Sequence, residues 1–211
     1  MTDTWSERAD MYRESEAHRE GEDLDVIVEW AEGKNALDVA TGGGHVARRL
    51  SEAGFDVTTL DPAPGMGATV VAPAEDIPFA AGSFDVVACR VAAHHFEDVA
   101  KGVREMARVS RDLVLVADNL FLDETVEEAE KLRDPTHVRC YSEGEWRELL
   151  AGAGLTVEDL RSFEKRIELG PWLARAGCEG DEARRVRELL GDRIEGDHVV
   201  LTRVALKGRK A

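Results

Sequence analysis

Apolar runs of strand length alternate with amphipathic stretches of helix length as far as residue 120. Runs at 35–40, 55–60, 69–72, 84–89 and 112–118 predict buried strands, and the stretches 22–32, 44–53 and 96–109 predict helices between them. In the last of these Val99, Val103, Met106 and Ala107 share one face. This βαβα rhythm predicts an α/β sheet covered by helices on both sides. Beyond residue 120 the pattern changes to a polar helix at 123–133, a turn at Asp134-Pro135 and a helix at 143–153. Two long strand-like stretches, 155–168 and 198–206, follow with helical material at 171–176 and 181–191 between them, and predict an antiparallel addition at one sheet edge. No repeat, low-complexity tract or linker interrupts the chain, so residues 1–211 read as one domain. Its parts are a helical N-terminal segment (1–33), a core (34–120) and C-terminal additions (121–211).

The sharpest local signal is Ala36-Leu37-Asp38-Val39-Ala40-Thr41-Gly42-Gly43-Gly44-His45, a strand running through three glycines into a helix. Glycines let backbone turn tightly against a ligand, and the helix start offers free N–H donors. Gly42, Gly44 and Ala47 satisfy G-x-G-x-x-A, with Asp61 19 residues after Gly42, as a dinucleotide site also requires. Asp38, inside the strand, is badly placed for an incoming pyrophosphate and better placed for a ligand that carries an ammonium group. A second acidic pair, Glu75-Asp76 before Ile77-Pro78-Phe79, puts a carboxylate near the end of the third strand, where it can accept from an exocyclic amine. Only seven residues, Pro62 to Ala68, separate the second and third strands, whereas a helical parallel crossover needs at least about 10–12. The crossover is therefore expected without its helix, leaving that side of the pocket more open.

In order, LDVATGGGH, TLDPAPGM and AEDIPFAAGSFDVV resemble the class I S-adenosylmethionine-dependent methyltransferases, particularly the family of ubiquinone and menaquinone biosynthesis methyltransferases. The likeness covers residues 20–120, and extends more weakly to the segments 133–139 and 141–146. It implies a doubly wound, mostly parallel, seven-stranded Rossmann-like sheet with an antiparallel C-terminal edge strand. It also implies S-adenosyl-L-methionine as cofactor and S-adenosyl-L-homocysteine as product. On this resemblance Asp38, Ala40, Gly42 and Gly44 would face the methionyl part of the cofactor and Asp61, with Pro62 and Met66, the ribose. Asp76, of the cofactor-side pair Glu75-Asp76, would meet the adenine amine with the backbone of Ile77, and Arg90 would pass beneath the sulfonium. Tyr12 and His18 would belong to an N-terminal lid over the cofactor.

Methyl transfer needs a base only when the acceptor must lose a proton. The candidates are His94 and His95, after the fourth strand, where an open α/β sheet places its crevice. Adjacent side chains diverge, so one of the pair is expected to face the cavity. No metal site is expected from the spacing. Arg139, Tyr141 and Trp172 fall on the acceptor side, where Arg139 is open to an acidic substrate group or a salt bridge and Trp172 reads as core. His45 starts a helix and His137 follows a turn.

Charge narrows the partner. Lysine and arginine total 27 against 43 acidic residues, a net charge of −16, which argues against a nucleic-acid surface and for a small-molecule acceptor. Only 6 of the cations are lysine; such a surface suits high salt, and a GC-biased genome produces the same pattern. Cys89, Cys140 and Cys178 form no disulfide framework, and no apolar run approaches the ~20 residues of a membrane span, so a cytoplasmic location is expected, with monomer and homodimer both open. Two other functions stay in view. One is a cofactor-binding protein without catalysis, suggested by the short crossover; the other is a nicotinamide-dependent oxidoreductase, suggested by the glycine pattern alone.

Overall fold

The computed structural model describes residues 4–210. Residues 1–3 of the expected N-terminal segment lie outside the described residues. Three short helices, α1 (Thr4–Glu7), α2 (Ala9–Glu14) and α3 (Glu16–Arg19), precede α4 (Glu22–Trp30). The alternating core is β1 (Asn35–Val39), α5 (His45–Glu52), β2 (Asp56–Asp61), β3 (Val70–Val71), β4 (Phe84–Arg90), α6 (Val99–Val109) and β5 (Ser110–Asn119). The last third holds α7 (Glu124–Arg133), α8 (Glu143–Gly152), β6 (Leu155–Glu168), α9 (Leu169–Ala176), α10 (Gly180–Leu190), β7 (Ile194–Glu195) and β8 (His198–Lys210).

The sheet runs β3-β2-β1-β4-β5-β8-β6, with the two-residue β7 pairing β8 off this path. Strands β1 to β5 run parallel to one another. The C-terminal addition is antiparallel as expected: β8 lies between β5 and β6, and β6 forms the outer edge. Period-two alternation explains why both faces are covered. Leu37, Val39, Val87, Cys89, Val114 and Val116 pack on one side with Val103 and Met106 of α6 and Trp146 and Leu150 of α8. Their neighbours Ala36, Val86, Ala88, Leu113 and Leu115 pack on the other with Leu24, Ile27 and Trp30 of α4 and Val46 and Leu50 of α5. A third cluster, including Trp172 and Leu173 of α9 and Val186 of α10, secures the C-terminal helices on β6 and β8.

The crossover after β2 has no α-helix, only a 3-10 turn at Pro64–Met66. The expected opening is nevertheless filled from elsewhere. Gly65 N–H donates to Ser6 Oγ at 2.7 Å, Arg13 Nη2 donates to the Gly65 carbonyl at 2.6 Å, and Ala9, Ala63 and Met66 form a small buried cluster with Trp5 and Tyr12 against it. Helices α1 and α2 thus occupy the position the shortened crossover vacates, and they do so at the carboxyl ends of the parallel strands. All three cysteines are free and buried.

Candidate active site

A cavity of about 620 Å³ opens at the carboxyl ends of β1, β2 and β4, where the strand order reverses. The volume falls within the ~300–1,000 Å³ of small-molecule sites. Its walls include Asp38, Ala40, Gly42, Gly43, Asp61, Pro62, Met66, Glu75, Arg90 and His95, and its roof includes Trp5, Tyr12 and His18. Sequence-expected residues therefore converge from five separate segments.

Asp38 stands near the carboxyl end of β1 and is buried, 1 % exposed. Thr41 Oγ1 and Ala47 N–H both donate to its Oδ2, at 2.6 and 3.0 Å, so Oδ1 is left without a protein partner. Burial pushes this carboxyl up to about 7, although those two hydrogen bonds pull the other way. A buried carboxylate with one oxygen unengaged is a receptor for a cation. Asp61 is also buried, and its two oxygens accept from Gly42 N–H and Ala63 N–H, both at 2.9 Å, which ties the glycine loop to the crossover. The chain leaves β1 and β4 through Ala40 and Val91, both with φ near +50°, and both residues line the cavity. Left-handed backbone at non-glycine positions costs free energy and concentrates at functional sites.

Several expected residues stand elsewhere. Gly44 adopts the left-handed conformation that starts α5 and does not line the cavity; Gly43 does, and it makes the close approach. A Cβ there would fall 2.7 Å from the Tyr12 carbonyl and 2.8 Å from His45 Nε2. Asp76 is exposed and absent from the walls, while Glu75 lines them. Ile77 is buried and its N–H already donates to Glu105 Oε2 at 3.0 Å. The expected pairing of Asp76 with the Ile77 backbone around an amine is therefore not what the fold builds. Glu105 and Arg108 clamp that loop from α6, Arg108 donating to the carbonyls of Ile77 and Phe79.

The two histidines diverge as expected. His94 is buried beneath the cavity with its Nδ1 2.5 Å from Asp118 Oδ1, while its backbone N–H donates to Asp118 Oδ2. Burial lowers the His94 pKa, but the charge and hydrogen bond of Asp118 outweigh it and the pKa is raised. His95 lines the cavity, and its Nδ1 is 2.9 Å from the Thr136 carbonyl. A carbonyl only accepts, so Nδ1 carries the proton and Nε2 is left as a basic nitrogen. Burial, then the neighbouring His94, hold the His95 pKa well below the usual histidine value. The ring stands edge-on to Trp5 at 4.6 Å between centroids. Asp118 was not among the candidates, although it has the signature of Asp38 and Asp61: a carboxylate closing an otherwise apolar buried strand.

The acceptor-side candidates separate. Arg139 is exposed and pairs with Glu145 at 2.5 Å, Tyr141 packs on Trp146, and Trp172 is core. His45 donates to the Tyr12 carbonyl at 2.9 Å and holds the roof down. His137, Glu127 and Cys140 bring ligand-type atoms within 4.8 Å of one another, a grouping that sequence spacing does not reveal. Glu127 already bonds both His137 Nε2 and Cys140 N–H, while the buried His137 Nδ1 has no partner among the described residues.

A family model described as a methyltransferase domain matches residues 37–115. The uncharacterized methyltransferase YcgJ of Bacillus subtilis (strain 168) is 32 % identical over 207 residues, covering 86 % of this chain and 82 % of that protein. The chain belongs to the class I S-adenosylmethionine-dependent methyltransferases. The crystal structure of YcgJ superposes on this methyltransferase with a TM-score of 0.80 at 28 % identity, covering 89 % of this chain and 97 % of that one. The ubiquinone/menaquinone biosynthesis C-methyltransferase UbiE of Geotalea uraniireducens (strain Rf4) is 34 % identical over 101 residues, 39 % of this chain and 43 % of that protein. S-adenosyl-L-methionine is accordingly the cofactor of this methyltransferase, and the nicotinamide reading falls away. The site fits it: the buried Asp38 asks for a cation, the glycine loop leaves room for close backbone contact, and the cavity is of the right order of size. No helix among the described residues is long and apolar enough to cross a membrane.

Proposed function

We propose that this methyltransferase acts on a small-molecule acceptor in the cytoplasm, with residues 34–120 as the cofactor half, the N-terminal helices as a lid and the C-terminal additions as the acceptor side. Asp38 holds the cofactor's ammonium, Asp61 its ribose hydroxyls and Glu75 the adenine side. When bound, S-adenosylmethionine supplies an electrophilic methyl group that an acceptor atom takes by in-line displacement, leaving S-adenosylhomocysteine. Tyr12, Trp5 and His18 exclude water from above. His95 Nε2 takes the proton that the acceptor's hydroxyl or acidic carbon gives up as its bond to the methyl carbon forms. The observation that carries this reading is the His95–Thr136 hydrogen bond, which fixes a neutral base on the cavity wall. A roofed cavity of this size and a net charge of −16 favour a metabolite over a nucleic acid.

The test is transfer of labelled methyl from the cofactor to a metabolite extract. The wild-type chain is expected to label a low-mass product, and His95→Gln to slow labelling about 10²–10⁴-fold with cofactor affinity unchanged. Labelling of RNA or protein alone, or an unimpaired variant, contradicts the proposal.

A further inference from the structure

The loop after α7 carries a chain of hydrogen bonds that ends on the cavity wall. Asp134 is buried, and the Thr136 N–H and hydroxyl both donate to its Oδ1, at 3.1 and 2.7 Å. The Thr136 carbonyl and Oγ1 in turn lie 2.9 and 3.3 Å from His95 Nδ1. A threonine hydroxyl has one proton to give. With that proton directed at Asp134, Oγ1 offers His95 only lone pairs, so both Thr136 oxygens are acceptors at the same ring nitrogen. Donation is thus ordered from the carboxylate outward, and the order holds the ring proton on Nδ1.

Asp134 also brings charge. Burial would raise its pKa, but the bonds from Thr136 and the charge of Arg133, whose Nη2 stands 3.9 Å away, outweigh burial and bring it down to about 2. That negative charge acts on His95 against what depresses the ring: burial, and the neighbouring rings of His94 and His137, 4.1 and 6.2 Å away between centroids. Trp5 faces the same ring and is uncharged. On its other side Asp134 meets the lid. Arg8 Nη1 lies 3.3 and 3.4 Å from its two oxygens, and Arg8 Nη2 donates to the Ala176 carbonyl at 2.7 Å. One carboxylate stands between the lid and the base.

We propose that Asp134 is a positioning residue for methyl transfer: through Thr136 it sets the tautomer and orientation of His95 and stabilises the imidazolium that forms there. This rests on the reading of His95 as the base. As the acceptor's bond to the methyl carbon forms, its proton passes to His95 Nε2. The positive charge then spreads to Nδ1–H, whose bonds to the Thr136 oxygens strengthen. No proton leaves His95 along the chain; Asp134 stays a carboxylate and Thr136 keeps its hydroxyl hydrogen. Arg8 offsets part of the Asp134 charge, so the closed lid keeps His95 neutral until the acceptor's proton arrives.

Two measurements on the full chain test this. The first needs no acceptor: nitrogen NMR of the histidine-labelled protein with S-adenosylhomocysteine bound, at pH 8, the His95 signals being those lost in His95→Gln. Wild type is expected to show a protonated Nδ1 and a bare Nε2. Asp134→Ala, which releases Thr136, is expected to spread the proton over both nitrogens. Asp134→Asn keeps the acceptor oxygen and Thr136→Ser the hydroxyl, and both are expected to keep the wild-type pattern. An unchanged pattern in Asp134→Ala overturns the proposal. So does the same loss in Arg8→Met, which frees the lid with Thr136 still bonded, because the lid alone would then orient the ring. The second is the pH profile of methyl labelling of a metabolite extract. Asp134→Asn is expected to slow labelling about tenfold and move the acid limb downward, and Arg8→Met to move it upward, since one removes the charge that favours the imidazolium and the other unmasks it. Limbs that move the same way in both variants, or in neither, make Asp134 only a latch for the lid and overturn its part in the reaction. The base reading fails separately: His95→Gln labelling at the wild-type rate contradicts it whatever the NMR pattern.

Discussion

The cofactor end and the roof of the cavity are built by different means. At the cofactor end, Asp38 and Asp61 close buried parallel strands, and backbone N–H groups of the glycine loop and the crossover tie them in place. At the roof, helices of four to six residues are held by side chains reaching across the chain: Arg8 to Asp134 and to the Ala176 carbonyl, Arg90 to the His18 carbonyl, Lys165 to the Glu20 carbonyl, and His45 to the Tyr12 carbonyl. Strand ends give a fixed receptor. Short helices fastened by long side chains give a cover that opens when a few bonds are exchanged for water, because such helices have little stability of their own. A cofactor common to a family suits the first construction.

The difference can be broken most strongly at Asp38. Its carboxyl, at about 7 instead of the usual 3.8, is easier to bury protonated, so its contribution to folding is fullest at low pH and is lost as pH rises through about 7. Asp38→Asn removes that cost, and the cofactor-free protein is expected to gain roughly 2–4 kcal/mol at pH 8 and little at pH 4, measured by denaturant unfolding. A destabilised variant at pH 8 would show that the carboxylate is structural.

Gly43→Ala attacks the seam between the two. The added methyl meets the Tyr12 carbonyl, and the expected cost of about 1–3 kcal/mol falls on lid closure. Limited proteolysis is expected to cut residues 4–20 several-fold faster while cleavage in the sheet is unchanged. Uniform sensitivity along the chain would mean that lid and core unfold as one.

Asp118→Asn sharpens the chemistry at the wall. Without its carboxylate partner His94 is charged less readily, which relieves the neighbouring His95, whose pKa His94 depresses. The acid limb of the kcat/KM profile is therefore expected to move upward by about one pH unit. No movement would separate His95 from the rate. Arg139→Ala is the smallest change: its ion pair with Glu145 is exposed, and less than about 0.5 kcal/mol of stability and no activity are expected to be lost.

The same contrast decides what was legible in the sequence. The alternation of Leu37, Asp38 and Val39, or of Val114, Leu115 and Val116, writes buried strands in a period any reader can follow, and the carboxylates that end β1 and β2 stand out against it. The two-residue β7 carries too little pattern to be read. The surroundings of Asp76 and Ile77 were not legible because Glu105, 28 residues after Ile77, takes the amide that was expected to serve the ligand. Trp5 was illegible for a related reason: it packs against the cluster of Ala63 and Met66 and stands edge-on to His95, contacts far along the chain that no local period marks.

Calorimetric titration of S-adenosylhomocysteine, at pH 6 and pH 8, into the wild-type chain and Asp38→Asn tests the central claim most directly. Wild type is expected to bind several-fold more tightly at pH 8, where Asp38 is ionised, with protons released on binding near pH 7. The variant is expected to bind at least 100-fold more weakly with no dependence on pH. Equal affinity in the two proteins at both pH values would contradict the account.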